Sequence, residues 1–254
     1  MAKIVELLGP SGVGKSSLYL ELQNRWHETD NWATYHDFIY PRKKGSAATF
    51  LLKVKSLWAK IHNSDYFWNE GILKNSQRNF AELHPEFMSI LMDLIQEHTK
   101  KGYNGEDKRF LVTFFTLKSI GRLQSALDRE NDSRTCLIDE ALLSRIMHLN
   151  SPTFSNNDLE KYLQSMPLPD GLIYLNAPSE VVLSRLQKRN KKATIHEGLS
   201  NKKISEYTQN TQALMEKVIT HLLKQNIPIL RLDARKTTRK IAEEAISFLS
   251  EKVR

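Results

Sequence analysis

The chain has 254 residues, 40% of them hydrophobic, and a formal net charge of +8 from 37 Lys and Arg against 29 Asp and Glu. That length and apolar content suffice for one large α/β domain, and the single cysteine, Cys136, excludes a disulfide framework within the chain. No apolar run reaches the roughly 20 residues of a bilayer span, and the basic balance points to an anionic partner: nucleic acid, an acidic membrane surface or a small phosphorylated molecule.

In chain order, the apolar run Lys3–Leu8 predicts a strand. It leads directly into Gly9-Pro10-Ser11-Gly12-Val13-Gly14-Lys15-Ser16-Ser17, which matches the phosphate-cradling pattern GxxxxGK[ST]. Phosphates are well solvated, so a protein binds them by offering many donors at once. The glycines let the backbone turn its N–H groups inward, and the following helix adds its positive dipole end. Lys15 is expected to reach the β- and γ-phosphates of a nucleoside triphosphate, and the Ser16 hydroxyl to take one position on Mg²⁺. Because the loop begins so early, no room is left for a cleavable leader, and a cytoplasmic protein is expected.

The helix after the loop runs to about residue 28, with Leu18, Leu20, Leu22 and Trp26 as its apolar positions, and a second strand is predicted over Ala33–Ile39. Residues 46–130 read as mostly helical, most clearly at Ala47–Ile61, Ala81–Lys100 and Lys108–Leu127. Phe110, Phe114, Leu117 and Leu123 in the last of these read as core positions. Further strands are predicted at Thr135–Ile138, where Cys136 reads as a buried residue, at Gly171–Leu175 and at Ile227–Leu232. Helices are predicted after Pro178 to about Lys188, over Ile204–Lys224 and from about Thr237. Strands separated by helices imply a parallel sheet with right-handed crossovers, and ligands at the carboxyl ends of its strands.

Both the phosphate loop and Asp139-Glu140 fall at such ends. The pattern Leu137-Ile138-Asp139-Glu140 suits a metal-binding aspartate followed by a glutamate that polarises water in an ATPase, or positions metal or acceptor in a kinase. A hydroxyl acceptor needs a carboxylate to orient it, and Asp37 at the end of the second strand is a candidate. A phosphate acceptor needs cations instead, for which Arg42, Lys43, Lys44, Arg109 and Arg122 are available.

The segment Leu168 to Arg189 contains Pro169-Asp170, Ile173-Tyr174-Leu175, Pro178, Glu180, Arg185 and Arg189. It resembles the P-D-x-x-I-Y-L-x-x-P-x-E-x-x-x-x-R-x-x-x-R signature of thymidylate kinases and related nucleoside and nucleotide kinases. The resemblance covers residues 1–40 and 131–254 in order. It implies a P-loop NTPase fold: a five-stranded parallel sheet flanked by helices, in a single domain with a helical acceptor-binding insertion at 41–130 and a lid at 190–202. It further implies that Arg185 and Arg189 neutralise the phosphoryl group in transfer, that Ala234 borders the adenine ring, and that ATP and Mg²⁺ are the cofactors. Lys15, Asp37, Asp139 and Glu140 complete the expected catalytic set, with Ser16 and Asp139 on the metal. Kinases of this type are often homodimers. The chain departs from thymidylate kinases after its second and third strands, where it reads Phe38-Ile39-Tyr40-Pro41-Arg42 and Asp139-Glu140. The implied reaction is transfer of the ATP γ-phosphate to a nucleoside monophosphate, with a nucleoside or a phosphorylated sugar as the alternative acceptor. An ATPase acting on nucleic acid is the rival from another class, and is less favoured because a lid signature has no role in it.

Overall fold

The computed structural model describes residues 2–39, 70–100, 106–151, 153–188, 199–251 and 253. Its frame is a five-stranded, wholly parallel sheet in the order β2-β3-β1-β4-β5. The strands are β1 (Lys3–Leu8), β2 (Trp32–Thr34), β3 (Thr135–Ile138), β4 (Gly171–Asn176) and β5 (Ile229–Asp233). Central β1 pairs with β3 through Glu6↔Ile138 and with β4 through Leu8↔Tyr174, so both of its edges are hydrogen-bonded, and helices cover its faces. Val5, Leu7 and Leu8 are accordingly inaccessible to solvent.

The described helices are α1 (Lys15–Arg25), α2 (Tyr35–Ile39), α3 (Glu70–Leu83), α4 (Pro85–His98), α5 (Arg109–Leu127), α6 (Leu142–Leu149), α7 (Asn156–Ser165), α8 (Ser179–Gln187), α9 (Asn201–Lys224) and α10 (Thr238–Glu251). The expected α/β class and five parallel strands are therefore present. Cys136 is a buried β3 residue, and burial pushes its thiol pKa up, which leaves it unreactive. Phe110 and Phe114, read as core positions, are exposed on α5, whereas Leu123 is buried.

Several boundaries differ from the sequence reading for identifiable reasons. The second strand stops at Thr34 rather than Ile39, because Thr34 Oγ1 donates to Asp37 Oδ2 at 2.8 Å and the chain turns into α2. Such a Thr-x-x-Asp spacing competes with extension of the ladder. The helix predicted over 81–100 is two helices broken at His84 (φ −128°, ψ 55°), since the residue before Pro85 is driven out of the helical region. An unpredicted helix, α7, opens on a capping box: Asp158 N–H donates to Ser155 Oγ, and Ser155 N–H donates to Asp158 Oδ2. β5 starts two residues late because Pro228 has no N–H for the ladder, although its carbonyl accepts from Leu172 N–H at 3.0 Å. The predicted helix Ala47–Ile61 lies outside the described residues. The span read as a lid, 190–202, overlaps them only at 199–202, where Ser200 caps α9.

Candidate active site

β1 delivers Gly9 to the top of the sheet, where its neighbour β4 presses on it. A Cβ on Gly9 would stand 2.4 Å from the Leu175 carbonyl oxygen. Three residues of the loop take positive φ, Gly9 at 157°, Gly12 at 87° and Gly14 at 115°, which only glycine adopts cheaply. Gly14 is also the residue from which α1 starts, so Lys15 and Ser16 form the first helical turn and their N–H groups lack intrahelical acceptors. The Lys15 ammonium curls back over the loop and donates to the carbonyls of Gly9 at 2.6 Å and Pro10 at 3.3 Å.

Arg185 comes from α8 to the same loop. Its guanidinium donates through Nη1 to the Val13 carbonyl at 2.6 Å and through Nη2 to the Ala234 carbonyl at 2.7 Å. Ala234 N–H in turn donates to the Asn176 carbonyl at 2.8 Å. The loop, the end of β4 and the turn after β5 are thereby tied into one rim. Arg185 and Ala234, assigned separate tasks from sequence, are joined by this bridge, and the guanidinium sits on backbone carbonyls. Arg189, Arg42, Lys43 and Lys44 lie outside the described residues.

A cavity of about 360 Å³ opens beside the loop at the carboxyl ends of β2 and β3. Tyr19 and Gln23 line it from α1, Tyr35 and His36 from α2, and Phe115, Lys118, Ser119 and Arg122 from α5. Asp139, Glu140 and Arg145 close the third side. Of the two α5 arginines considered from sequence, Arg122 reaches the cavity. Arg109 instead pairs with Asp107 and donates to Gln96 Oε1 at 3.0 Å.

Two ion pairs organise this wall. Arg122 Nη2 meets Asp139 Oδ1 at 2.5 Å, and its guanidinium lies 4.8 Å above the Tyr35 ring, whose hydroxyl is 2.7 Å from Ser125 Oγ. Arg145, on the first turns of α6, pairs with Glu140. Burial alone would raise the Glu140 pKa, but Arg145 and Lys15 outweigh it and hold the carboxyl below its usual value. Glu140 is thus an ionised group standing between the cavity and the phosphate loop. Removing Asp139 leaves the mostly buried Arg122 without its nearest counter-charge. Asp139→Ala is expected to lower unfolding stability by about 1–3 kcal/mol, below the range for fully buried pairs because Asp139 is a third exposed. Denaturant unfolding of the two proteins measures it.

His148 Nε2 lies 3.4 Å from Arg145 Nη1. A guanidinium only donates, so Nε2 is the acceptor and the ring proton sits on Nδ1. Burial, and then the charges of Arg145, Lys15 and Lys108, lower the His148 pKa to about 3 despite the opposing pull of Glu140. An imidazole neutral in the folded chain but protonated near pH 6.5 when unfolded makes stability fall on acidification between those two values. The expected loss is on the order of 1 kcal/mol per pH unit below 6.5. Denaturation at pH 7, 6 and 5 tests this, and His148→Gln should flatten that part of the slope.

Asp37 is placed differently from its sequence reading. It is the third residue of α2, has no solvent exposure, and is held by Thr34 outside the cavity lining. Its neighbour His36 lines the cavity in its place. Tyr19, Gln23 and Arg145 were missed in the sequence, yet a regular signal was available. Lys15, Tyr19 and Gln23 are spaced by four and share a helical face, and Arg145 follows Glu140 by five residues.

A parallel sheet in this order, a phosphate loop between its central strand and α1, and an acid pair at the end of the adjacent strand together make up the P-loop NTPase fold. Among solved structures the chain is similar to deoxyadenosine kinase from M. mycoides with the products dCMP and a flexible dCDP bound. That match has 14% identity, coverage of 97% of this chain and 98% of the other, and a TM-score of 0.52. The same kinase with bound dATP matches at 12% identity over the same shares, with a TM-score of 0.49. No protein-family model and no curated protein sequence matches the chain.

Proposed function

We propose that the protein is an ATP-dependent kinase that phosphorylates a nucleoside or nucleoside monophosphate held in the cavity beside the phosphate loop. The observation that carries this reading is Glu140: one ionised carboxylate both lines the cavity and feels the charge of Lys15. A group so placed serves a reaction between a triphosphate on the loop and an acceptor in the cavity. The volume suits a small molecule. The likeness of fold to a deoxyadenosine kinase agrees with an acceptor of this class.

In this mechanism the loop amides and Lys15 bind the β- and γ-phosphates. Mg²⁺, were it bound, would supply positive charge against the triphosphate. Ser16 at the helix start and Asp139 are the hard oxygen donors that fit it, since this ion takes one or two carboxylates and otherwise phosphates and water. Glu140 accepts the proton of an attacking hydroxyl, which favours a nucleoside. Lys118, Arg122 and Arg145 in the lining favour the second form, a monophosphate whose oxygen is already nucleophilic. Arg185 keeps the loop and the 234 turn in register. We place the reaction in the cytoplasm.

Purified protein incubated with Mg-ATP and a panel of nucleosides, nucleoside monophosphates, phosphorylated sugars and single-stranded DNA decides the matter by product mass. ADP formed in equal amount with a phosphorylated nucleoside or a nucleoside diphosphate is the expected result. Release of free phosphate alone, rising with DNA and falling steeply with salt, would replace the kinase with an ATPase.

A further inference from the structure

Glu6 is a charged residue within the apolar stretch Ile4–Leu8 of the central strand, and it is 1% exposed. Carboxylates are almost never buried unless paired or fully hydrogen-bonded. Among the described residues no cation pairs with this one. Instead its Oε1 accepts from Ala141 N–H at 3.0 Å, Ser144 N–H at 2.7 Å and Ser144 Oγ at 2.7 Å, and its Oε2 accepts from Leu143 N–H at 3.0 Å. These are the orphan donors at the start of α6, whose own N-cap residue, Ala141, has no side chain with which to satisfy them. Glu6 supplies the missing cap from 135 residues away in sequence; burial pushes its carboxyl pKa up, and the bonds from Ser144, Leu143 and Ala141 pull against that rise.

The position of this cap matters more than its strength. Glu6 precedes Gly9 by three residues on the strand that carries the phosphate loop. The amides it holds begin one residue after Glu140 and end one residue before Arg145. One side chain therefore spans the strand beneath the phosphates and the segment that presents Asp139, Glu140 and Arg145 to the cavity. Tyr162 closes the far side by donating its hydroxyl to the Leu142 carbonyl at 2.8 Å.

We propose that Glu6 is a positioning residue for phosphoryl transfer, fixing the acid segment Asp139–Glu140 and Arg145 at a set distance from the phosphate loop. The proposal rests on the kinase reading above. The isosteric Glu6→Gln turns one acceptor oxygen into an NH₂ facing an N–H donor, so at least the bond from Leu143 N–H is lost and the cap is weakened while the volume is kept. The acid segment then drifts, and misplacement by about 1 Å costs up to roughly 10²-fold in rate.

The expected result for Glu6→Gln, with rates normalised to folded protein, is a kcat lower by about 10- to 100-fold and a KM for ATP within about twofold of wild type. Amide hydrogen exchange should quicken at Ala141, Leu143 and Ser144 and stay unchanged in residues 9–16. Should Glu6→Gln fail to fold, Ser144→Ala, which removes a single donor, is expected to lower kcat by about threefold with the same unchanged KM. Equal kcat per folded molecule in wild type and variant would overturn the proposal, as would a parallel rise in the KM for ATP. Absence of phosphoryl transfer in the wild type would instead sink the kinase reading. The exchange measurement would then still decide whether Glu6 holds the segment.

Discussion

Lys15→Met is expected to reduce phosphoryl transfer by about 10³-fold or more, roughly 4 kcal/mol of transition-state stabilisation. The ammonium already rests on the Gly9 and Pro10 carbonyls, within the loop that wraps the phosphates, so little reorganisation is needed for it to meet developing charge. Methionine keeps the length and apolar stem of the side chain and removes the charge alone. Because Lys15 also helps to hold Glu140 ionised, the variant should raise the Glu140 pKa and move the acid limb of the rate profile upward. Steady-state kinetics across pH 5 to 8 reads both effects. Transfer retained within tenfold of wild type would show that the triphosphate is not bound by this loop.

Gly9→Ala is expected to be the most damaging single methyl group in the described structure. The new Cβ would sit 2.4 Å from the Leu175 carbonyl oxygen and 3.0 Å from Val13 Cγ1. The first of these is backbone of β4, in a strand paired residue by residue with β1, so it cannot swing aside as a side-chain tip would. Relief requires separating the two strands or lifting the loop. A cost of about 3 kcal/mol in unfolding stability follows, with nucleotide affinity lowered at least tenfold because the loop amides no longer converge. Urea titration with an unchanged m-value, together with calorimetric titration of ATP, measures each part.

What the sequence made legible was chemistry with local causes. The two fixed glycines of the phosphate-loop pattern, Gly9 and Gly14, both take positive φ, and Gly12, at a free position of the pattern, does so as well. The parallel sheet followed from apolar runs separated by helical stretches. Capping was equally local at Thr34-x-x-Asp37 and Ser155-x-x-Asp158, and reading those spacings would have ended β2 and found α7. What the sequence withheld depends on which distant segments meet. Arg185 carries the same charge whether it faces a phosphate or the carbonyls of Val13 and Ala234. Nothing near Glu6 announces that its partners begin at residue 141, and its one visible sign is a lone charge among apolar neighbours. Asp37 stands apart from the cavity lining for the converse reason: a three-residue strand turned early and carried it into the core.

The helix α1 carries Lys15 and Ser16 at one end and Tyr19 and Gln23 of the cavity wall along the same face, a rise of about 12 Å from Lys15 to Gln23. Cradle and pocket are mounted on one rigid rod. Under the proposed kinase reading, a tilt of that rod as a triphosphate settled on its first turn would move the wall that the acceptor touches, and an acceptor filling the pocket would resist or assist the same tilt. Linkage makes the effect symmetrical: whatever factor the donor imposes on acceptor affinity, the acceptor returns to the donor. The lever needs no lid to work, and lengthening or softening it between Lys15 and Gln23 would let the two substrates bind as strangers.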